Sequence, residues 1–264
     1  MAPRRRKHGG LNHLAPVGER CVPVPGQRRQ ESQLGEQFGD IFQSEQDLVA
    51  ATLDDVIADL PEGLSQFVRS ELAEKQILAG VVLASAAPEH DSAEDESRRV
   101  ALAAALELLQ IALSIHRLLL KPEKPDSIDN MLLGGTILAG DYCFSRAAVL
   151  AARTCHPQVV TVFAELLKEI SQANLKRVIV SENDSQNTIA ATERKAMFHS
   201  GASAGVLLAG LSDEEQAVVV RYAEWLSLQG SDDGTGSLNA GAGGSLDSMP
   251  PRQRERWREL VSSL

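Results

Sequence analysis

Between Ser97 and Leu120 the chain is apolar on nearly every side of a helical projection, through Leu106, Leu108, Leu109, Ile111, Leu113, Ile115, Leu118, Leu119 and Leu120. A helix with no face that prefers water belongs at the centre of a bundle, wrapped by helices that each have one apolar side. Glu107, Gln110, His116 and Arg117 interrupt the run. With no uncharged run of about 18 apolar residues, no transmembrane helix is expected.

Composition agrees with a helical reading. Apolar residues make up 43% of the 264 positions but aromatics only 4%, so the core must be built from Leu, Ala, Val and Ile. Such an Ala-rich aliphatic mixture favours helix over sheet. The formal charge of −10 is uneven: residues 1–30 carry +6 and the remaining 234 carry −16. An acidic body argues against nucleic-acid binding through the folded domain, which needs a basic surface. The Arg4-Arg5-Arg6-Lys7 cluster reads as a solvated tail. Cys21, Cys143 and Cys155 are odd in number and lack C-x-x-C spacing, which fits a reducing, cytoplasmic setting and neither disulfides nor a zinc site. The N-terminus has charge but no apolar stretch behind it, so it is not a secretory signal.

Local signals divide the chain into a basic tail (1–43) expected to be disordered, a helical body (44–229), a Gly/Ser linker (230–248) and a short terminal helix (249–264). Ser44, with Asp47 three residues on, is the expected N-cap of the first helix, which runs to Pro61. Within it Asp54, Asp55 and Asp59 imitate a metal-binding D-D-x-x-D. Asp55 and Asp59 share a face, but the amphipathic pattern puts them on the solvated side. Residues 63–87 read as one helix, polar and then apolar. Leu132–His156 has helical period and small residues (Gly134, Gly135, Gly140 and the alanines from 147 to 152) where a neighbour can approach closely. Helices are expected over 159–180 and 188–211, the latter with Ala202, Ala204, Gly205, Ala209 and Gly210 for close packing. Ser212 with Glu215 makes a capping box that opens 213–229. Trp257, Leu260, Val261 and Leu264 form an apolar stripe on the terminal helix, suited to docking on the body or on a partner.

Two stretches, E-L-L-Q-x-A-L-S-I-H (107–116) and G-G-T-I-L-A-G-D-Y-x-x-S-R-A (134–147), resemble the trans-polyprenyl diphosphate synthases, as do residues 204–226. The resemblance covers roughly residues 44–229 and implies an all-α, antiparallel helix bundle of the isoprenoid synthase type around a deep cavity. It also implies a homo- or heterodimer, and elongation of an allylic diphosphate with isopentenyl diphosphate. That chemistry requires Mg²⁺ between carboxylate clusters to neutralise the departing diphosphate, and basic residues to grip the second one.

Most of those stations are filled by other residue types. His116 is followed by Arg117, Leu118, Leu119 and Leu120, where the family carries its first aspartate cluster. Asp126 and Asp129 lie beyond a two-proline break and read as helix-start residues. The Gly-Lys-Arg signature falls near Ala73-Glu74-Lys75, and the Lys-Thr pair on Glu193-Arg194, with Lys195 beside it. Asp232-Asp233 sit in the Gly-rich linker. Asp141 matches the family at a position that supports the bundle and does not bind metal. The sequence therefore assigns no catalytic residue and no metal ligand, with Lys75, Arg117 and Lys195 as candidate substrate-binding residues. The expected role is a pseudoenzyme: a non-catalytic partner subunit of an active prenyl diphosphate synthase. An active prenyltransferase with an atypical site, needing Mg²⁺, and a helical scaffold without an isoprenoid role are the alternatives.

Overall fold

A computed structural model describes residues 25–72, 76–87, 92–119, 130–180, 186–229 and 246–264. The described residues form helices and connecting turns: α1 (Pro25–Ala58), α2 (Glu62–Ser70), α3 (Ile77–Ser85), α4 (Ala93–Leu118), α5 (Asn130–Ala152), α6 (Pro157–Val180), α7 (Gln186–Ala209), α8 (Asp213–Leu228) and α9 (Pro251–Ser262). The described residues form an all-α bundle.

The apolar stretch takes the central place its composition demands. Helix α4 packs against α1, α3, α5 and α7, and its residues from Arg99 to Leu109 are buried without a break. By length and apolarity alone it is sufficient to cross a membrane, contrary to the expectation from sequence. Yet 83% of that apolar window is buried inside the bundle, which accounts for its composition. Ser92 caps α4, its side-chain oxygen accepting from the Asp95 N–H at 3.2 Å, and three acidic residues in the first turn suit the helix dipole.

The expected single helix over 63–87 is two. Helix α2 is amphipathic and lies at the surface, whereas α3 is buried from Leu78 to Ser85. One straight helix could not carry a polar first half and an all-apolar second half into the core. Helix α3 fits there because glycines face it. A Cβ on Gly205 of α7 would stand 2.9 Å from Ser85 Cβ, 3.0 Å from the Val82 carbonyl oxygen and 3.2 Å from the Ala86 nitrogen, so the α3 and α7 backbones approach each other directly. Gly80 gives similar room to Leu260 of α9. Gly210, read from sequence as a packing residue, instead ends α7. At φ +66° it lets the Leu211 N–H reach the Val206 carbonyl (3.2 Å), and its own N–H reaches Leu207 (3.2 Å).

The first helix begins at Pro25 and not at Ser44, which lies mid-helix and exposed. Pro25 suits a first helical position, and the chain contains no other proline until Pro61. The extension carries Phe42, 2% exposed, beneath the Arg256 guanidinium. Burial of Phe42 and Glu45 against α9 therefore outweighs the local cap signal at Ser44. The capping box of Ser212 and Glu215 forms as read.

Helix α9 docks on α1 and α3. Trp257 is fully buried and meets Tyr222 edge-on at 5.2 Å. A buried ion cluster fixes the helix: Glu45 Oε2 accepts from Arg256 Nη1 at 2.6 Å, and Glu45 Oε1 accepts from Arg99 Nε at 3.2 Å. Arg256 Nη1 also donates to the Leu83 carbonyl at 3.0 Å, joining α1, α3, α4 and α9 at one point. The Leu246–Ser248 stretch, expected within the linker, forms a 3-10 turn, and Met249 after it is buried.

Candidate functional site

The end of α4 opens onto a cleft of about 620 Å³ bounded by α5, α6 and α7. Its walls are apolar: Leu109, Leu113 and Leu119 from the central helix side, Phe144 from α5, and Leu167, Ile170 and Leu175 from α6. The polar side chains of the lining are His116, Arg117, Asp141, Ser171, Asn174 and Glu193.

Local sequence explains how they arrive there. His116 and Arg117 occupy the last turn of α4, where positive charge suits the carbonyl end of a helix. Gly140 makes room for the imidazole, since a Cβ at that position would lie 2.3 Å from His116 Nε2. Asp141, the next residue, stands 3.4 Å from the same nitrogen. Asp141 is exposed in the cleft lining, and its contact with His116 ties α5 to the end of α4. The mouth is thus a His-Asp pair, and the interior is guarded by a second pair.

That interior pair is Arg117 and Glu193. Glu193 on α7 is 3% exposed, yet it packs beside an apolar cavity. Its Oε1 accepts from Asn174 Nδ2 at 3.0 Å. Its Oε2 lies 3.6 Å from Arg117 Nε and has no hydrogen-bond partner, because that N–H donates to the Leu113 carbonyl at 3.3 Å. Sequence reasoning met Glu193 only as a misfit for a family lysine. Its location between Thr192 and the cleft-side turn of α7 gave no local sign of burial.

Of the substrate-binding candidates, Arg117 lines the cleft. Lys195 is exposed on α7 and outside the cleft lining. Lys75, Asp126, Asp129, Asp232 and Asp233 lie outside the described residues. The imitation aspartate motif is on the surface. Asp54 pairs with Arg69 of α2, and Asp59 lies 3.4 Å from the Tyr142 hydroxyl, which donates to the Val56 carbonyl at 3.0 Å. Cys143 is buried, which pushes its thiol up to about 11 and leaves it unreactive at neutral pH. A smaller hollow of about 290 Å³ lies between α1, α3 and α9, and among the described residues its lining holds no Lys, Arg or His.

Among the described residues no group of three or more His, Cys, Asp or Glu side chains converges to hold a metal ion. Mg²⁺ demands an octahedron of hard oxygen ligands, several supplied by carboxylates or substrate phosphates. Asp141 and Glu193 do not meet that demand: the first faces solvent beside His116, and the second is enclosed by Asn174 and Arg117. Among the described residues, the donor set of the cleft does not fit a diphosphate-bound magnesium cluster.

The arrangement of helices around this cleft has close counterparts among solved structures. The chain has the trans-prenyl synthase fold. A polyprenyl synthase from Caulobacter crescentus, complexed with calcium and isoprenyl diphosphate, superposes with a TM-score of 0.57 at 18% identity, over 74% of this chain and 62% of that one. A decaprenyl diphosphate synthase from Rhodobacter capsulatus gives 0.56 at 17% identity, over 74% and 64%. The geranyl diphosphate synthase small subunit from Antirrhinum majus gives 0.55 at 16% identity, over 86% of this chain and 93% of that one. No protein-family model and no curated protein matches the chain by sequence. The chain thus spans under two thirds of each of the two bacterial synthases and nearly the whole plant subunit.

Proposed function

We propose that this protein is a non-catalytic, prenyl-synthase-like subunit that acts by binding an active prenyl diphosphate synthase. One observation carries this reading. The turn after His116, where the resembling family holds its first aspartate cluster, presents Arg117 and Leu119 to the cleft, with Arg117 beside the buried Glu193. Without paired carboxylates the charge of a departing diphosphate is not compensated, and such compensation dominates this kind of catalysis.

Two further features support the partner role. Helix α5 buries one face through Ala139, Gly140, Cys143, Ala147 and Ala151, but leaves Ile137, Leu138 and Val149 exposed, and Val160 at the start of α6 is exposed as well. This divides the Leu132–His156 stretch into an inner packing face and an outer apolar one suited to a helix-helix interface. The near-complete coverage of a plant small subunit is the second feature, since its name describes it as one subunit of a larger synthase.

A pull-down from native cells followed by a prenyl-elongation assay tests the reading. The expected result is no turnover of farnesyl diphosphate by the chain alone with Mg²⁺, and recovery of a synthase that turns over. Elongation by the purified chain would refute it. Leu109 and Leu113 line the cleft of this chain, while Leu106 packs beside Gly201. Bulky substitution at the first two is therefore expected to shift product length, and at Leu106 to impair folding.

A further inference from the structure

The terminal helix lies in a groove that is longer than the helix itself. Helix α9 runs antiparallel to α3: Gln253 donates to the Ala87 carbonyl, Arg256 Nη1 donates to the Leu83 carbonyl at 3.0 Å, and Leu260 fills the space left by Gly80. The other wall is α1, where Glu45 Oε2 accepts from Arg256 Nη1 at 2.6 Å and the Phe42 ring lies under the same guanidinium. Gln253, Arg256, Trp257 and Leu260 are all buried, at the spacing of one helix face. Ser263 is next on that face. Past Leu260 the groove continues as the hollow of about 290 Å³, with Ser263 on its α9 side and Ala50 of α1 and Ile77 of α3 opposite. The serine is too small to fill it.

The groove's chemistry selects what it holds. The end of α3 offers the Leu83 carbonyl and Glu45 adds a carboxylate, so the socket under Arg256 takes a planar guanidinium with several donors. Beside it the walls enclose an aromatic ring at Trp257 and a branched aliphatic chain at Leu260. The Trp257 indole N–H is buried without an acceptor, so the groove uses the aromatic body and not its polar handle. The stretch that leads to α9, residues 230–245, is rich in Gly and Ser and has Leu238 as its only large apolar residue, a composition unsuited to packing a core. We propose that the α1–α3 groove is a recognition site for an amphipathic helix, filled in this chain by its own α9. It accepts from another protein a helix that carries Arg-aromatic-x-x-Leu and a bulky apolar residue three positions further on. The hollow shares no lining residue with the cleft at the end of α4, so this recognition stands apart from the reading given above.

Fluorescence anisotropy with labelled synthetic peptides of residues 249–264 tests this on the full chain. The wild-type chain, with its groove filled, is expected to bind the native-sequence peptide at least about tenfold more weakly than a Trp257→Ala chain, whose tethered helix is loosened. Ser263→Leu in the peptide should tighten binding roughly tenfold by filling the hollow, and Arg256→Ala in the peptide should weaken it by at least as much. Hydrogen exchange on the wild-type chain, isotope-labelled so that its fragments differ from the peptide's, gives a second reading that does not depend on how the Trp257→Ala chain folds. Excess Ser263→Leu peptide should speed exchange over α9 and leave α3 protected. No binding to either chain, equal affinity for both chains, no gain from Ser263→Leu, or unchanged exchange over α9 would each overturn the proposal.

Discussion

Two buried carboxylates at opposite sides of α4 have been given opposite surroundings. Glu45, fully buried, is held by Arg99 and Arg256, and both of its oxygens accept from guanidinium groups. Glu193, almost as buried, accepts from Asn174 through one oxygen, while the other lies 3.6 Å from Arg117 Nε with no hydrogen-bond partner. The first is surrounded by packed helices, and the second belongs to the lining of an apolar cleft at the end of the central helix. Where the bundle needs a fixed geometry, charges are matched. Beside the cleft at the end of the central helix, one carboxylate oxygen has no hydrogen-bond partner. The same fold thus holds one fully matched buried carboxylate and one half-matched.

The largest expected effect lies at the matched end. Glu45→Ala leaves two buried guanidinium groups without their carboxylate and should cost about 3–5 kcal/mol. Denaturant unfolding measures it, and a loss below about 1 kcal/mol would mean that the cluster is wetter than its burial indicates.

Glu107 stands between the two cases. It is buried on α4 and accepts from the Ala79 N–H at 2.8 Å, capping α3, yet burial pushes its carboxyl up to about 7. Because the folded state holds this proton above the unfolded value, folding binds protons between those pH values, and stability from this group falls as pH rises from 4.5 to about 7. Glu107→Gln should gain on the wild type by on the order of 3 kcal/mol across that window. A difference independent of pH would show that Glu107 is ionised throughout.

Packing separates the two ends next. Gly205→Ala drives a Cβ against the α3 backbone and should destabilise by roughly 1–3 kcal/mol, read as a lower unfolding temperature. The smallest effect is expected at the open end. Glu193→Leu replaces a half-satisfied carboxylate by an apolar side chain beside an apolar cleft, and should change stability by less than about 1 kcal/mol. A loss as large as that of Glu45→Ala would remove the contrast between the two sites.

Much of the architecture was legible in the sequence where the cause is local. The all-round apolarity of 97–120 placed α4 at the centre, and Ser212 with Glu215 fixed the start of α8. The start of α1 was not legible, because Pro25 marks a helix start only once Phe42 and Glu45 are buried against α9. Nor was the break between α2 and α3, which reflects a surface helix giving way to a core one. For the site, the residue types after His116 were legible as Arg and Leu, and of the candidate substrate-binding residues Arg117 lies in the cleft lining. The spacing of Asp141 gave its helix, and its exposure beside His116 came only with the tertiary structure.

Periodicity, caps and composition are properties of a few consecutive residues, so the sequence by itself determined an aliphatic helical bundle, its central helix and the residue types at each family station. Charge partners across tens of residues, such as Glu45 with Arg256 or Arg117 with Glu193, depend on which helices meet and at what distance. Only the tertiary structure decided those, because pairing energy and desolvation are set by proximity and burial, and neither is encoded in any short stretch of chain.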